Sequence, residues 1–191
     1  MAKDNKREKI LNALEQLLPG KRFHEITLDE VAKIAQVGKG TIYLYFKDKD
    51  SLFSEMVCFR LERLRGAIEE LSGSTGGDLP AKVFELIDGF ITEHHAGFAQ
   101  LGEFASQIAR MQPDELERLK DTASSIVKTV SSIMQQTNPQ WSAQQAMDYA
   151  QIFLWLIDSY SRNKIGGAEN LVKPEVLLDF FRRGSKLMQQ K

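Results

Sequence analysis

The sequence has a single cysteine, Cys58, among 191 residues. One thiol cannot form an internal disulfide, so a cross-linked secreted scaffold is excluded, and Cys58 is expected to be a small buried hydrophobe rather than a redox sensor. A long hydrophobic run is missing too. The longest, Ile152 to Ile157, is far short of the ~20 residues that span a bilayer, and no basic segment leads into an apolar stretch at the N-terminus. A soluble, cytoplasmic protein with no membrane partner is expected. Charge of one sign is also lacking, with 25 Lys and Arg against 26 Asp and Glu. The balance is slightly uneven along the chain: residues 1–50 hold ten basic and eight acidic side chains and the remainder fifteen and eighteen. That mildly favours a polyanion at the N-terminal end. There are 5 prolines, no repeat and no low-complexity tract, while 42% of the residues are hydrophobic. This is enough apolar material for a sizeable core in one large or two small domains.

The informative residues are concentrated between Thr27 and Lys49, TLDEVAKIAQVGKGTIYLYFKDK. Thr27 followed by Glu30 has the spacing of a capping box, in which the hydroxyl accepts from one free backbone N–H and the carboxylate from another. A helix is expected to start there. Val31, Ile34 and Ala35 fall on one face of it, and Gln36, Val37 and Gly38 interrupt the periodicity before a second short helix near Lys39. In that second helix Ile42 and Phe46 are four apart on the buried side, which leaves Lys39, Gly40, Thr41, Tyr43 and Tyr45 exposed. A helix with this face suits a DNA groove. Lysine serves phosphates or the acceptor edge of guanine, hydroxyls reach phosphate oxygens, and glycine lets the backbone come close. The shape alone would fit equally an ordinary pair of small helices with solvated faces.

The run VGKGTIYLYFKDKDSLF resembles the recognition helix and following junction of the TetR family of bacterial transcription regulators, where the pattern G-T-(I/L)-Y-x-(Y/H)-F-x-(D/N)-K is characteristic. With the first helix included, the resemblance covers about the first quarter of the chain. It implies that Lys39, Gly40 and Thr41 face bases, that Tyr43, Tyr45 and Lys49 hold phosphates, and that Thr27 is a cap with a further phosphate contact. Two positions depart from the pattern. Gln36 stands where the family often has a turn glycine, and a left-handed backbone there would cost roughly 1 kcal/mol. Gly38 stands where a serine or threonine cap is common, a change worth only a few tenths of a kcal/mol.

The rest of the chain reads as helices. Residues 4–18 carry Ile10, Leu14, Leu17 and Leu18 at helical spacing before Pro19 and Gly20, and the basic tail Lys3, Lys6, Arg7 and Lys9 is placed to reach a DNA backbone. Phe23 and Ile26 are expected to plug a small three-helix core. Asp48 reads as the N-cap of a long helix to about Leu71, with Leu52, Phe53, Met56, Val57, Leu61, Leu64 and Ile68 as its apolar stripe. Further helices are expected over about 79–95, 98–110, 113–136, 142–163 and 174–189, with no sheet. The expected fold is therefore all-α with about nine helices: a helix-turn-helix DNA-binding domain over 1–47 and a helical ligand-binding and dimerisation domain over 48–191.

The last two helices carry apolar residues on two sides. One stripe of the first is Met147, Ala150, Leu154 and Ile157, and the other Tyr149, Ile152, Phe153, Leu156 and Tyr160. The last helix carries Val176, Leu177, Phe180, Phe181, Leu187 and Met188, with Gly184 for close approach. A helix apolar on two faces is either central or covered by a partner. The expected cover is a second copy of the chain, with Phe153, Leu156, Tyr160, Val176, Leu177, Phe180, Phe181 and Gly184 at the interface.

No catalytic constellation stands out, and no cofactor is expected. His94 and His95 are neighbours about 100° apart on a helix, which prevents both from serving one metal on one face. Gly73, Gly76 and Gly77 lack the downstream Lys-Ser/Thr of a phosphate loop. The middle helices are rich in large apolar groups, namely Met56, Phe59, Phe90, Phe98, Phe104, Ile108 and Met111. His94, His95, Gln107 and Tyr160 fall among them, the usual make-up of a small-molecule pocket. A filled core with satisfied polar residues would read the same way. The sequence thus points to a homodimeric repressor that binds a palindromic operator in double-stranded DNA and is released by a small, largely apolar effector. The alternatives are a DNA-binding adaptor whose C-terminal domain binds a protein, and an all-helical small-molecule-binding protein or enzyme that keeps the motif for another purpose.

Overall fold

The structure, a computed structural model, describes residues 2–72, 78–93, 106–168 and 172–187. Among them it is all helical, with nine helical elements and no strand. Eight are α-helices: α1 (Ala2–Leu17), α2 (Leu28–Ala35), α3 (Lys39–Tyr43), α4 (Lys49–Ser72), α5 (Leu79–Glu93), α6 (Pro113–Thr137), α7 (Ala143–Ile165) and α8 (Pro174–Leu187). The ninth is a 3₁₀ turn, Phe23–Glu25, in the segment read from sequence as a connection. Most of the helix expected over 98–110 lies outside the described residues.

The starts follow from side-chain chemistry. At α2, the Thr27 hydroxyl accepts from the Glu30 N–H at 3.3 Å while Glu30 accepts from the Thr27 N–H at 2.9 Å. Asp48 caps α4 by accepting from the Ser51 N–H at 2.7 Å, and Ser51 accepts from the Asp48 N–H at 3.1 Å. The same reciprocal pair, Ser142 with Gln145, opens α7. Pro113 and Pro174 occupy the first positions of α6 and α8, where a missing N–H costs nothing.

The described residues divide into two compact units, one drawn from Met1–Arg63 with His94–Thr122, the other from Leu64–Glu93 with Ala123–Lys191. In the first, α1, α2, α3 and the start of α4 close on Ile10, Leu11, Leu14, Phe23, Ile26, Val31, Ile42, Phe46, Leu52, Phe53 and Met56. Phe23 and Ile26 do plug this core, and the Phe23 ring packs 4.9 Å from Phe53. Ile34, expected on the buried face of α2, is instead 38% exposed, and the interior takes Ala32.

Charged groups fasten α4 within the same unit. Glu55 accepts from Arg7 of α1 and Arg118 of α6, the Ser54 hydroxyl donates to Glu115 at 3.1 Å, and Arg60 lies 2.9 Å from Glu15. Burial alone would push the Glu55 carboxyl up, but the Arg118 hydrogen bond and charge, with those of Arg7, hold it below its ordinary value. Cys58 is buried as expected, and burial pushes its thiol up, which disfavours the thiolate.

In the second unit α5 packs on α7 around Val83, Phe84, Ile87, Ala146, Ala150, Phe153, Ile157 and Tyr160. Asp88 of α5 accepts from Ser161 at 2.8 Å and from Lys164 at 2.7 Å of α7. An aromatic group ties α7 to α8: Phe181 lies 4.7 Å from Phe153 and 6.1 Å from Tyr149, on which Trp141, just before α7, stacks at 4.3 Å.

Candidate functional site

The tight turn between α2 and α3 sets the presentation of α3. Gln36 takes a left-handed backbone, φ 55° and ψ 45°, and its N–H and that of Val37 close the C-terminus of α2 on Lys33 and Ala32. A side chain here carries the strain that glycine would avoid, roughly 1 kcal/mol. Gly38 then caps α3 in an extended conformation without a side-chain hydrogen bond. The result is a five-residue helix anchored by Ile42 (0% exposed) and, just beyond it, Phe46 (2%).

The opposite face is open. Lys39, Gly40 and Tyr43 are exposed, and Thr41 and Tyr45 are half-buried. No atom lies within 4 Å of where a side chain on Gly40 would begin, so a ligand can approach that backbone directly. Lys39, Gly40, Thr41 and Tyr43 therefore share one small helix, as the sequence places them, whereas Tyr45 leans on the core. Leu44, which the sequence reading passes over, is the most exposed large apolar side chain among the described residues at 81%.

Lys39 has a partner that spacing alone does not reveal. Its ammonium donates to Asp29 in the first turn of α2 at 2.8 Å, and that hydrogen bond and charge raise its pKa. Lys49 is also engaged. Its ammonium donates to the carbonyls of Phe23, His24 and Ile26 at 2.8, 3.2 and 2.9 Å and lies 4.6 Å over the Phe23 ring. Lys49, expected against a phosphate, is wrapped in this DNA-free structure in the turn that precedes α2. Thr27 is exposed, with its hydroxyl inside the capping box. On α1, Arg7 is held by Glu55, while Lys6 and Lys9 are exposed.

The residues expected in an effector pocket fall in different places. Met56 is fully interior, with Phe59 and Met111 packed against the same core. Gln107 is 7% exposed, and its Oε1 has no hydrogen-bond partner. Ile108 is half-buried in the same unit, whereas Phe90 and Tyr160 belong to the second unit, where Tyr160 packs 5.3 Å from Phe84. His94, His95, Phe98 and Phe104 lie outside the described residues. Among the described residues no group of His, Cys, Asp or Glu could hold a metal ion.

The expected dimer face is redrawn by burial. Phe153, Tyr160 and Phe181 are 0, 9 and 8% exposed in their own chain and serve its interior, Phe153 against Phe181 of α8 and Tyr160 against Phe84 of α5. Leu156 and Leu177 are half-buried, Val176 and Phe180 are 57 and 72% exposed, and the side chain of Gly184 falls outside the described set. Two residues outside the expected interface set join them, Ile152 at 51% and Trp155 at 68%. Their signal is the spacing 152, 155, 156, 159, one helix face of which the expected stripes include only Ile152 and Leu156. No described helix is long and apolar enough to cross a membrane.

Comparison with known proteins agrees with this geometry. Residues 10–56 match the family described as bacterial regulatory proteins, tetR family. Over 66 residues the chain is 36% identical to the HTH-type transcriptional regulator YhgD of Bacillus subtilis, covering 35% of each chain. It is 37% identical over 65 residues to the fatty acid metabolism regulator protein of the same organism, covering 32% of this chain and 34% of that one. These matches span about a third of the length of the curated relatives. The whole fold is similar to a structure from Mesorhizobium loti described as a TetR-family transcriptional regulator, with TM-score 0.69, 17% identity, and 91 and 89% of the two chains covered. It is similar as well to the regulator FadR of Bacillus subtilis in complex with stearoyl-CoA, with TM-score 0.65, 16% identity, and 92 and 94% covered.

Proposed function

We propose that this chain is a transcription regulator of the tetR family that works as a homodimeric repressor released by a small, largely apolar effector, a reading supported by the match of residues 10–56 to that family and by the similar fold of a solved structure described as a member of it. The observation that carries the DNA half is the division of α3 into a buried edge, Ile42 and Phe46, and an open one, Lys39, Gly40, Thr41 and Tyr43. In this reading Lys39, Gly40 and Thr41 meet base edges and Tyr43 a phosphate, with Tyr45 and Thr27 as lesser backbone contacts and Lys49 holding the preceding turn. One such helix per chain reads half a site, so two chains would read a palindrome with half-sites about 34 to 36 Å apart or a multiple of this. The exposed Ile152, Trp155, Val176 and Phe180 supply an apolar surface for the second chain.

The effector reading rests on the helices after residue 48. The unpartnered, buried Oε1 of Gln107 calls for a donor, since such groups are rarely left alone, and an effector N–H or O–H would serve. Glu55, shared by α1, α4 and α6 through Arg7 and Arg118, gives displacement of α6 a route to the helix-turn-helix. An effector can act only by binding the DNA-incompetent state more tightly.

The experiment is a mobility shift on the DNA flanking the protein's own coding region, repeated with a metabolite extract. A shift that the extract abolishes is expected. Any compound isolated this way must bind free protein more tightly than DNA-bound protein by the factor with which it weakens DNA binding. A shift that survives every extract would remove the effector half and leave the adaptor reading.

A further inference from the structure

Leu44 has no role in the reading above, yet its position is singular. It follows α3 in a right-handed helical conformation, φ −74° and ψ −22°. At 100° per residue it stands roughly opposite the buried pair Ile42 and Phe46, with Gly40, four residues earlier, as its nearest neighbour on that face. Lys39 leans away toward Asp29 of α2. The residue that closes α3 therefore presents an isobutyl group, 81% exposed, on the same side as a glycine with open space above it.

We propose that Leu44 reads the C5-methyl group of a thymine in the major groove. This rests on α3 being the DNA-reading helix. Each base pair offers a distinct pattern there, and the thymine methyl is the apolar element of that pattern. A leucine makes no hydrogen bond to a base edge or a phosphate, so dispersion and the removal of apolar area from water are all it has to contribute. Gly40 matters to the same contact, because a side chain there would lift the helix off the base edges. Tyr43, 53% exposed on one flank of Leu44, carries a hydroxyl that suits a phosphate, which would set the depth at which the leucine enters.

The test removes the methyl and nothing else. Binding sites are selected from a random double-stranded DNA pool with the full-length protein, and each thymine of the selected site is replaced in turn by deoxyuridine. At one thymine per half-site the replacement should weaken wild-type binding about fourfold, the value of roughly one buried methyl. Leu44→Ala, whose side chain supports no core contact, should bind the thymine and uridine sites equally. The inference is overturned if DNA is selected but no thymine has a methyl that wild type feels and Leu44→Ala does not. It is likewise overturned if the methyl effect persists in Leu44→Ala, which would assign it to another residue. Failure to enrich any sequence would overturn the DNA-reading role of α3 and this inference with it.

Discussion

The carboxylate of Asp29, in the first turn of α2, accepts a 2.8 Å hydrogen bond from the ammonium of Lys39, the first residue of α3. The two side chains are 68 and 48% exposed, so the pair is weak in water and DNA can compete for the lysine. If Lys39 meets the bases as proposed, Asp29 sets a threshold on that contact, and its own charge repels phosphates. Asp29→Asn should raise affinity for DNA of any sequence and steepen the dependence of log K on log salt by about 1. Titrations at two or more salt concentrations measure both. Unchanged affinity and slope would mean that Asp29 does not compete with DNA for Lys39.

Lys49 separates a structural task from a DNA contact. Three carbonyl acceptors and the face of Phe23 surround its ammonium, and charge-assisted bonds of this kind contribute about 1.5 to 3 kcal/mol together once solvent competition is counted. Lys49→Met keeps an apolar stem over the ring and loses the donors. It should lower stability by about 2 kcal/mol, a fall of roughly 5 °C in Tm for a chain of this size, while leaving the salt slope of DNA binding as it was. A slope reduced by about 1 with no change in Tm would give the lysine to a phosphate instead.

These two lysines also mark where the sequence stops being informative. Caps and prolines are local, so the starts of α2, α4, α6, α7 and α8 are legible from Thr27, Asp48, Pro113, Ser142 and Pro174. The open and buried edges of α3 follow from the four-residue spacing of Ile42 and Phe46. What a charged side chain reaches across 10 residues, as Lys39 does, or across 26, as Lys49 does to Phe23, depends on how the helices meet. No period in the sequence encodes that. The same holds for α7, where Phe153 and Trp155 are two residues apart and both large and aromatic, yet one is buried against Phe181 of α8 and the other is open.

The capping box of α2 gives a pH dependence with a definite sign. Hydrogen bonding to Lys21, then to the Thr27 backbone and hydroxyl, lowers the Glu30 pKa from 4.5 to about 2. A carboxyl depressed in the folded state stabilises it above the unfolded pKa, and that contribution is lost as pH falls from about 4.5 through about 2. Glu30→Gln keeps an acceptor for the Thr27 N–H but cannot titrate or pair with Lys21. The Tm difference between wild type and Glu30→Gln should be full at pH 7 and close as the pH approaches 2. A difference that is constant across this range would remove ionised Glu30 from the account.

Trp155 and Phe180, 68 and 72% exposed, leave more aromatic surface on α7 and α8 than a solitary chain gains from. Phe181, next to Phe180, does the opposite work: it is 8% exposed and packs 4.7 Å from Phe153 and 6.1 Å from Tyr149. Neighbouring phenylalanines therefore predict different failures. Trp155→Arg or Phe180→Arg should give a folded monomer with an unchanged helical spectrum that binds a palindromic site at least tenfold more weakly, because one recognition helix cannot hold both half-sites. Phe181→Arg should instead bury an unpaired charge and cost about 3 to 5 kcal/mol, lowering Tm steeply. Sedimentation and thermal melts of the three variants distinguish these outcomes. Wild-type protein that sediments as a monomer at micromolar concentration, or Trp155→Arg and Phe180→Arg proteins that remain dimeric, would assign this surface to something other than a second copy of the chain.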